Sequence, residues 1–427
     1  MIYYASTDLV GIFFRWKGSA FNGPAPLRAL CIALVALAIA LLHARFNFVV
    51  RTTESTAFVD TLTVFNTFIG LTVSFRLNSA FQQWRAGVLA VGTMAEASRG
   101  LVSSAGAFLS ARGPTEEPLA APSSASSQAL PRETLEKWSF LLELRRLVLA
   151  YITIVFLDCR GRDGIESMRD ASVLTQSESQ ELQSCCDHAA SAAPASPHKQ
   201  RAAVVELWLK RAVEVAAARE LLSASHASAL QTKIAQLPSL YTAVFHIANI
   251  PIPFNYMQYL QYLIAVYMTL YTFVIVPRSG LYTPLWVFFW GMFLFTADQV
   301  AMEIECPFGT DANDIDLEDR LSRLERELTV IVRSQYYFFT GGKELPHETT
   351  PQLRAAKTLQ AAQDLQKRQS LNSFHSNHVL SDELEAPEAI AVVDECMKLM
   401  AADTAPPRDY GSTSRRRSPT SDAAAFA

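Results

Sequence analysis

Hydrophobic and polar positions in this chain are sorted into long blocks rather than alternating residue by residue. The first uncharged run is ALCIALVALAIALLHA over 29–44, bounded by Arg28 and Arg45. The second is TLTVFNTFIGLTVSF over 61–75, bounded by Asp60 and Arg76. A third, centred on YLQYLIAVYMTLYTFVIV, lies in a region without Asp, Glu, Lys or Arg from Ile234 to Pro277. The fourth is LYTPLWVFFWGMFLFTA over 281–297. A helix needs about 20 residues to cross roughly 30 Å of hydrocarbon. The blocks therefore predict four membrane-spanning helices, short enough to suggest that they pack on one another. Tyr267, Tyr271, Tyr282, Trp286 and Trp290 fall near segment ends, where aromatic belts belong. The competing reading is a large soluble core with four buried helices.

The roughly 160 residues between the second and third runs are too many for a loop. KWSFLLELRRLVLAYITIVFLD over 137–158 reads as a buried core helix, and VVELWLKRAVEVAAARELL over 204–222 as a second helix. Two Ala/Ser/Pro-rich stretches, 113–131 and 183–200, read as flexible insertions. Beyond the fourth run Leu317, Leu321, Leu324, Leu328 and Ile331 recur at spacings of four and three, a heptad-like seam. It fits a helix packed on its own domain or a contact between subunits. The expected organisation is an N-terminal cytosolic segment (1–28), two spans (29–76), a cytosolic helical domain (77–250) and two further spans (251–304). An acidic turn with a cytosolic helix (305–343) and a disordered polar tail (344–427) complete it. No strand pattern is present. The fold class is an all-α membrane protein with four transmembrane helices and a helical cytosolic domain.

Composition agrees with that division. Half the 427 residues are hydrophobic and 18% are charged. A net charge of -4 provides no basic footprint for nucleic acid. The six cysteines show no zinc spacing and no secreted disulfide framework. There is no GxSxG, HExxH, Walker or dinucleotide-binding motif, so the chain does not read as an enzyme. The apolar N-terminus precedes its basic residues, Arg15 and Lys17, and so makes a poor signal peptide. An even number of crossings places both termini on one side. That side carries Arg15, Lys17, Arg28, Arg76, Arg85, Arg99, Lys233, Arg320 and Arg323, against Arg45, Arg51 and Arg278 opposite. The positive-inside rule makes it cytoplasmic, or stromal in an organelle such as one with thylakoids.

Three features could carry chemistry. In the second span Thr67, Leu71 and Phe75 fall at i, i+4 and i+8, one helical stripe. Such a stripe packs against a neighbour in its own chain. Alternatively, repeated around an axis, it forms a narrow apolar constriction that gates by dewetting. Arg76 and Arg85 at its inner end would attract anions to that entrance, or would simply anchor the span. Ile252 lies between Pro251 and Pro253, on a turn where regular helix cannot form. The last is the acidic stretch EIECPFGTDANDID over 303–316. Asp311, Asn313 and Asp314 are hard oxygen ligands suited to calcium, but the spacing is not that of an EF-hand. Asp314 or Asp316 could instead cap the helix beginning near Leu317.

Several stretches together resemble the bestrophin family: FRWKGSAF near the N-terminus, FRLNSAFQQW closing the second span, IPIPFNYMQ opening the third, and CPFGTDANDID after the fourth. They occur in the family's order and cover about residues 9–335. The resemblance implies a homopentameric anion channel around a single central pore, passing chloride and plausibly bicarbonate. It places the family's hydrophobic neck at Thr67, Leu71 and Phe75 and its cytosolic aperture at Ile252. It also places a calcium clasp at Glu303, Cys306, Asp311 and Asp314, together with N-terminal backbone. The sequence departs from the family pattern at Cys306, a poor calcium ligand, at Glu303, at Gln83 and at the polar Thr67, which predicts a neck that wets more easily. A membrane-anchored scaffold recruiting partners through its cytosolic helices and tail is the alternative from another class.

Overall fold

A computed structural model describes residues 23–46, 56–110, 132–190, 198–250, 252–311 and 313–340, with isolated positions at 11, 14, 19, 21, 355, 358 and 359. All of these belong to one compact unit, Met1–Gln363. The described residues contain helices and connecting turns and no strand.

Four helices make an apolar layer. These are α1 (Ala25–Phe46), the first part of α2 (Thr56–Ser110), α9 (Phe254–Ser279) and α10 (Thr283–Glu305). By length and apolarity, α1 and a stretch within Ala224–Glu305 are each sufficient to cross a bilayer. At 1.5 Å per residue, the 22 residues of α1 reach about 33 Å. Its buried face is a stripe of alanines, Ala25, Ala29, Ala33, Ala36 and Ala40, while Leu27, Leu30, Leu34, Leu37 and Leu41 face outward. Small residues let helix backbones approach closely, the main source of cohesion where lipid removes the hydrophobic drive between helices. Ile69 and Val73 of α2, Leu260, Ile264 and Tyr267 of α9, and Val287 and Phe295 of α10 complete this core.

The second core is larger and lies in the helical domain beyond the apolar layer. At its centre is α3 (Arg132–Cys159), which contains the apolar run over 137–158. From Leu147 to Cys159 every residue is buried. Around α3 pack the far half of α2, α6 (His198–Ala218), α8 (Leu237–Asn249) and α11 (Leu317–Phe339), with α7 (Ala224–Ile234) against α6. Two smaller helices, α4 (Ile165–Asp170) and α5 (Gln176–Ala190), close one end.

Three expectations change. The second span does not stop at Arg76: α2 runs unbroken for 55 residues, about 80 Å at 1.5 Å per residue, joining both layers with one rod. No proline interrupts it, and its four glycines beyond Arg76 are isolated. The stretch 183–200 is helical at both ends, in α5 and α6, whereas 113–131 lies outside the described residues. Within the expected tail, Ala355, Thr358 and Leu359 are buried, the two apolar ones joining this second core. The leucine seam resolves toward its own domain. Leu317, Leu321, Leu324, Leu328 and Val332 are buried against α2 and α3.

Candidate functional site

The stripe on α2 has two distinct sides. Ile69, Val73, Arg76 and Ala80 point into the subunit and are buried. Thr67, Leu71 and Phe75 point out of it, with Leu71 and Phe75 51% and 61% exposed. The exposed side continues through Asn78, Gln82, Arg85 and Leu89. The stripe is therefore not a packing surface within this chain. Thr67 Oγ1 donates to the carbonyl of Thr63 at 3.2 Å, as Ser74 Oγ does to Gly70 at 2.8 Å. The Thr67 proton is thus held by its own helix, and the side chain offers the outer face a methyl group and an acceptor oxygen rather than a donor. The stripe is less polar at Thr67 than the residue name suggests.

Arg76 differs from the expectation. Its guanidinium is fully buried and donates through Nη2 to Glu305 Oε2 on the last turn of α10. A cation enclosed and neutralised in this way cannot line an entrance, whereas Arg85 is exposed. The other oxygen of the same carboxylate, Oε1, accepts the backbone N–H of Ile252 at 3.3 Å. Two turns before the end of α10 is Asp298, which is buried. It accepts from Gln261 Nε2 of α9 at 2.7 Å and lies 3.6 Å from Arg28 of α1. Gln299 beside it accepts the N–H of Ala25 at 3.0 Å and donates to Glu303 at 2.9 Å.

After Glu305 the chain turns sharply. Ile315 N–H donates to Pro307 O at 2.8 Å, closing the Cys306–Phe308 bend onto the segment that leads into α11. Gly87 of α2 lies under this bend: a Cβ there would sit 3.0 Å from Pro307 Cγ and 3.2 Å from a Phe308 ring atom. Arg160, at the end of α3, donates to Phe308 O at 3.3 Å and pairs with Glu318. Asp314 is buried and its Oδ2 accepts the N–H of Asp311 at 2.6 Å. Burial pushes its carboxyl up to about 6, against the backbone hydrogen bond that lowers it. Asp316 is the residue that caps α11, accepting the N–H of Asp319 at 2.9 Å.

The expected calcium ligands do not converge. Glu303 is engaged with Gln299 and, at 3.5 Å, with Asn313. Asp314 turns onto its own loop, and Asp311 is exposed. Among the described residues no group of three His, Cys, Asp or Glu side chains is placed to hold a metal ion. Burial and the neighbouring Glu305 and Asp314 carboxylates raise the Cys306 thiol, which disfavours the thiolate a metal would need. Among the described residues these side chains do not by themselves form a calcium clasp, and the N-terminal backbone expected to complete it lies outside the described residues.

A profile described as "Bacterial/Fungal Bestrophin protein" matches residues 1–330. The chain belongs to the bestrophin family. Bestrophins are integral membrane channels that pass anions, and this chain takes its place among them. Its fold is similar to that of a substituted form of a bacterial bestrophin homologue from Klebsiella pneumoniae. The identity is 19%, with 72% of this chain and 99% of the other covered, at a TM-score of 0.56. Another crystal structure of the Klebsiella pneumoniae homologue matches at 18% identity, 72% and 97% coverage and a TM-score of 0.55. No curated protein matches.

Sequence reasoning missed Glu305, Asp298 and Gly87 as members of this bestrophin's site. A signal for the first two was present: ionisable residues at the end of an apolar span mark partners or pathways. Arg28, Arg76, Asp298 and Glu305 all lie just outside the apolar runs 29–44, 61–75 and 281–297. Gly87 carried no signal, because the bend that crowds it arrives from 220 residues further along the chain (307 minus 87).

Proposed function

We propose that this bestrophin assembles as a homopentameric anion channel, passing chloride and bicarbonate through a central pore. The supporting observation is the α2 stripe: Thr67, Leu71 and Phe75 share one face, point away from their own subunit, and cap a helix otherwise buried on its opposite side. In a ring the stripe forms the neck. Its methyl, isobutyl and phenyl surfaces oblige an anion to shed part of its water, and such a constriction closes by dewetting. Ile252, held on its proline-flanked turn, is the cytosolic aperture that selects by size. Exposed Arg85 raises the local anion concentration near the inner mouth. The chain crosses the bilayer four times, with lipid against the leucines of α1 and both termini on the cytoplasmic or stromal side.

The test is anion flux from purified protein in liposomes, with and without calcium. A chloride flux supports the reading, and no flux from correctly assembled protein rejects it. Equal flux in calcium and in chelator is expected, since Glu303 and Asp314 are engaged within the subunit and Cys306 is a poor calcium ligand. Replacing Phe75 or Leu71 by Ala widens the neck and should raise unitary conductance several-fold. Unchanged currents in both would move the pore off this stripe.

A further inference from the structure

Glu305 occupies a position that the channel reading leaves unused. It is the last residue of α10, and it reaches two other segments at once. Oε2 takes the buried guanidinium of Arg76, the residue directly after Phe75. Oε1 takes the N–H of Ile252 at 3.3 Å. Prolines 251 and 253 have no N–H, so the amide of Ile252 is the sole backbone donor of that turn, and Glu305 holds it. Arg76 has no second acceptor among the described residues: its Nε and Nη1 are buried without a hydrogen-bond partner. The guanidinium therefore cannot exchange Glu305 for another anchor, and removing one partner would leave an uncompensated buried charge.

We infer that Glu305 is a positioning residue that ties the neck helix to the aperture turn, so that the two constrictions move together. The inference rests on the channel reading given above for Phe75 and Ile252. Its physical content is a single carboxylate shared by two pore elements. A shift of α2 that moves Arg76 pulls on the same group that fixes Ile252, and the reverse holds equally. The bend beginning at Cys306 is covalently next to Glu305, so a displacement there acts on both constrictions at once.

The test is a double-mutant cycle on single-channel conductance, with the thiocyanate-to-chloride permeability ratio as a second readout. Phe75→Ala and Ile252→Ala are made singly and together, first in the natural background. The cycle is then repeated in Glu305→Gln, whose amide offers one oxygen and an NH2 group in place of two acceptors. Non-additivity of about threefold or more is expected in the natural background, the scale of residues that share a network. It should collapse to additivity in Glu305→Gln and survive in Arg76→Lys, which keeps the charge and a donor. If Glu305→Gln does not assemble, the paired replacement Arg76→Met with Glu305→Leu removes both charges together, and additivity is expected there too. Non-additivity that persists without the carboxylate overturns the inference, as does an additive cycle in the natural background, and both leave the channel itself intact. Absence of any anion flux in the unsubstituted protein is a different result, which defeats the channel reading.

Discussion

At the scale of single residues the clearest physical consequence lies outside the membrane layer, at Asp158. This carboxyl is 3% exposed near the end of α3 and accepts a hydrogen bond from Tyr241 Oη at 3.1 Å. Burial pushes it up to about 7, outweighing Tyr241 and Arg201, which lower it; Asp163 adds to the rise. An unfolded aspartate titrates near 4, so between about pH 4 and pH 7 the folded chain binds the proton and the unfolded chain does not. Stability from this group is therefore greatest at acid pH and is lost as pH rises toward 7, at roughly 1.4 kcal/mol per unit. Asp158→Asn keeps an acceptor for Tyr241 without the charge. Its apparent melting temperature in detergent should come close to that of the natural protein at about pH 4 and exceed it at pH 8. An equal melting shift at both pH values would mean that Asp158 is charged in the folded domain throughout.

At the scale of elements, legibility followed locality. The apolar runs located α1, α9, α10 and the centre of α3, because burial on most sides of a helix is written into composition over a turn or two. The seam from Leu317 to Leu328 was readable as a stripe, but its partner was not, since that depends on α2 and α3 arriving from elsewhere. The length of α2 was hidden for the opposite reason. Arg76, Asn78 and Arg85 resemble a span boundary, whereas Arg76 is neutralised by a carboxylate 229 positions away and the helix simply continues. Gly87 tests that account. In a free helix, glycine to leucine gains up to about 1 kcal/mol in propensity. Here the side chain would enter space held by Pro307 and Phe308, and overpacking costs about 1–3 kcal/mol. Gly87→Leu should thus lower the melting temperature and loosen the Cys306–Phe308 bend, detectable as faster proteolysis after Arg160 or Arg320. A stabilised Gly87→Leu would show that the bend yields freely.

At the scale of the whole molecule, the apolar surface that a single subunit leaves uncovered includes two sets that only assembly tells apart. The leucines of α1 and the aromatic side chains Trp286, Phe289 and Phe293 of α10 are exposed, and so are Leu71 and Phe75 of α2. By hydropathy the two sets are alike, which is why the stripe could be read from the sequence while its surroundings could not. Their solvents differ in a ring: lipid covers the first set, and water reaches the second whenever the neck is wet. Native Cys31 lies on the exposed side of α1 and is an internal control, while Cys159 is buried. A charged, membrane-impermeant thiosulfonate reacts with thiolate and so requires water. Phe75→Cys in reconstituted protein should be modified and its anion flux altered by the added charge, whereas Cys31 and a cysteine at Leu34 should stay unreacted. Reaction at Leu34→Cys with protection at Phe75→Cys would exchange the two surfaces, placing α1 on the axis and α2 against lipid.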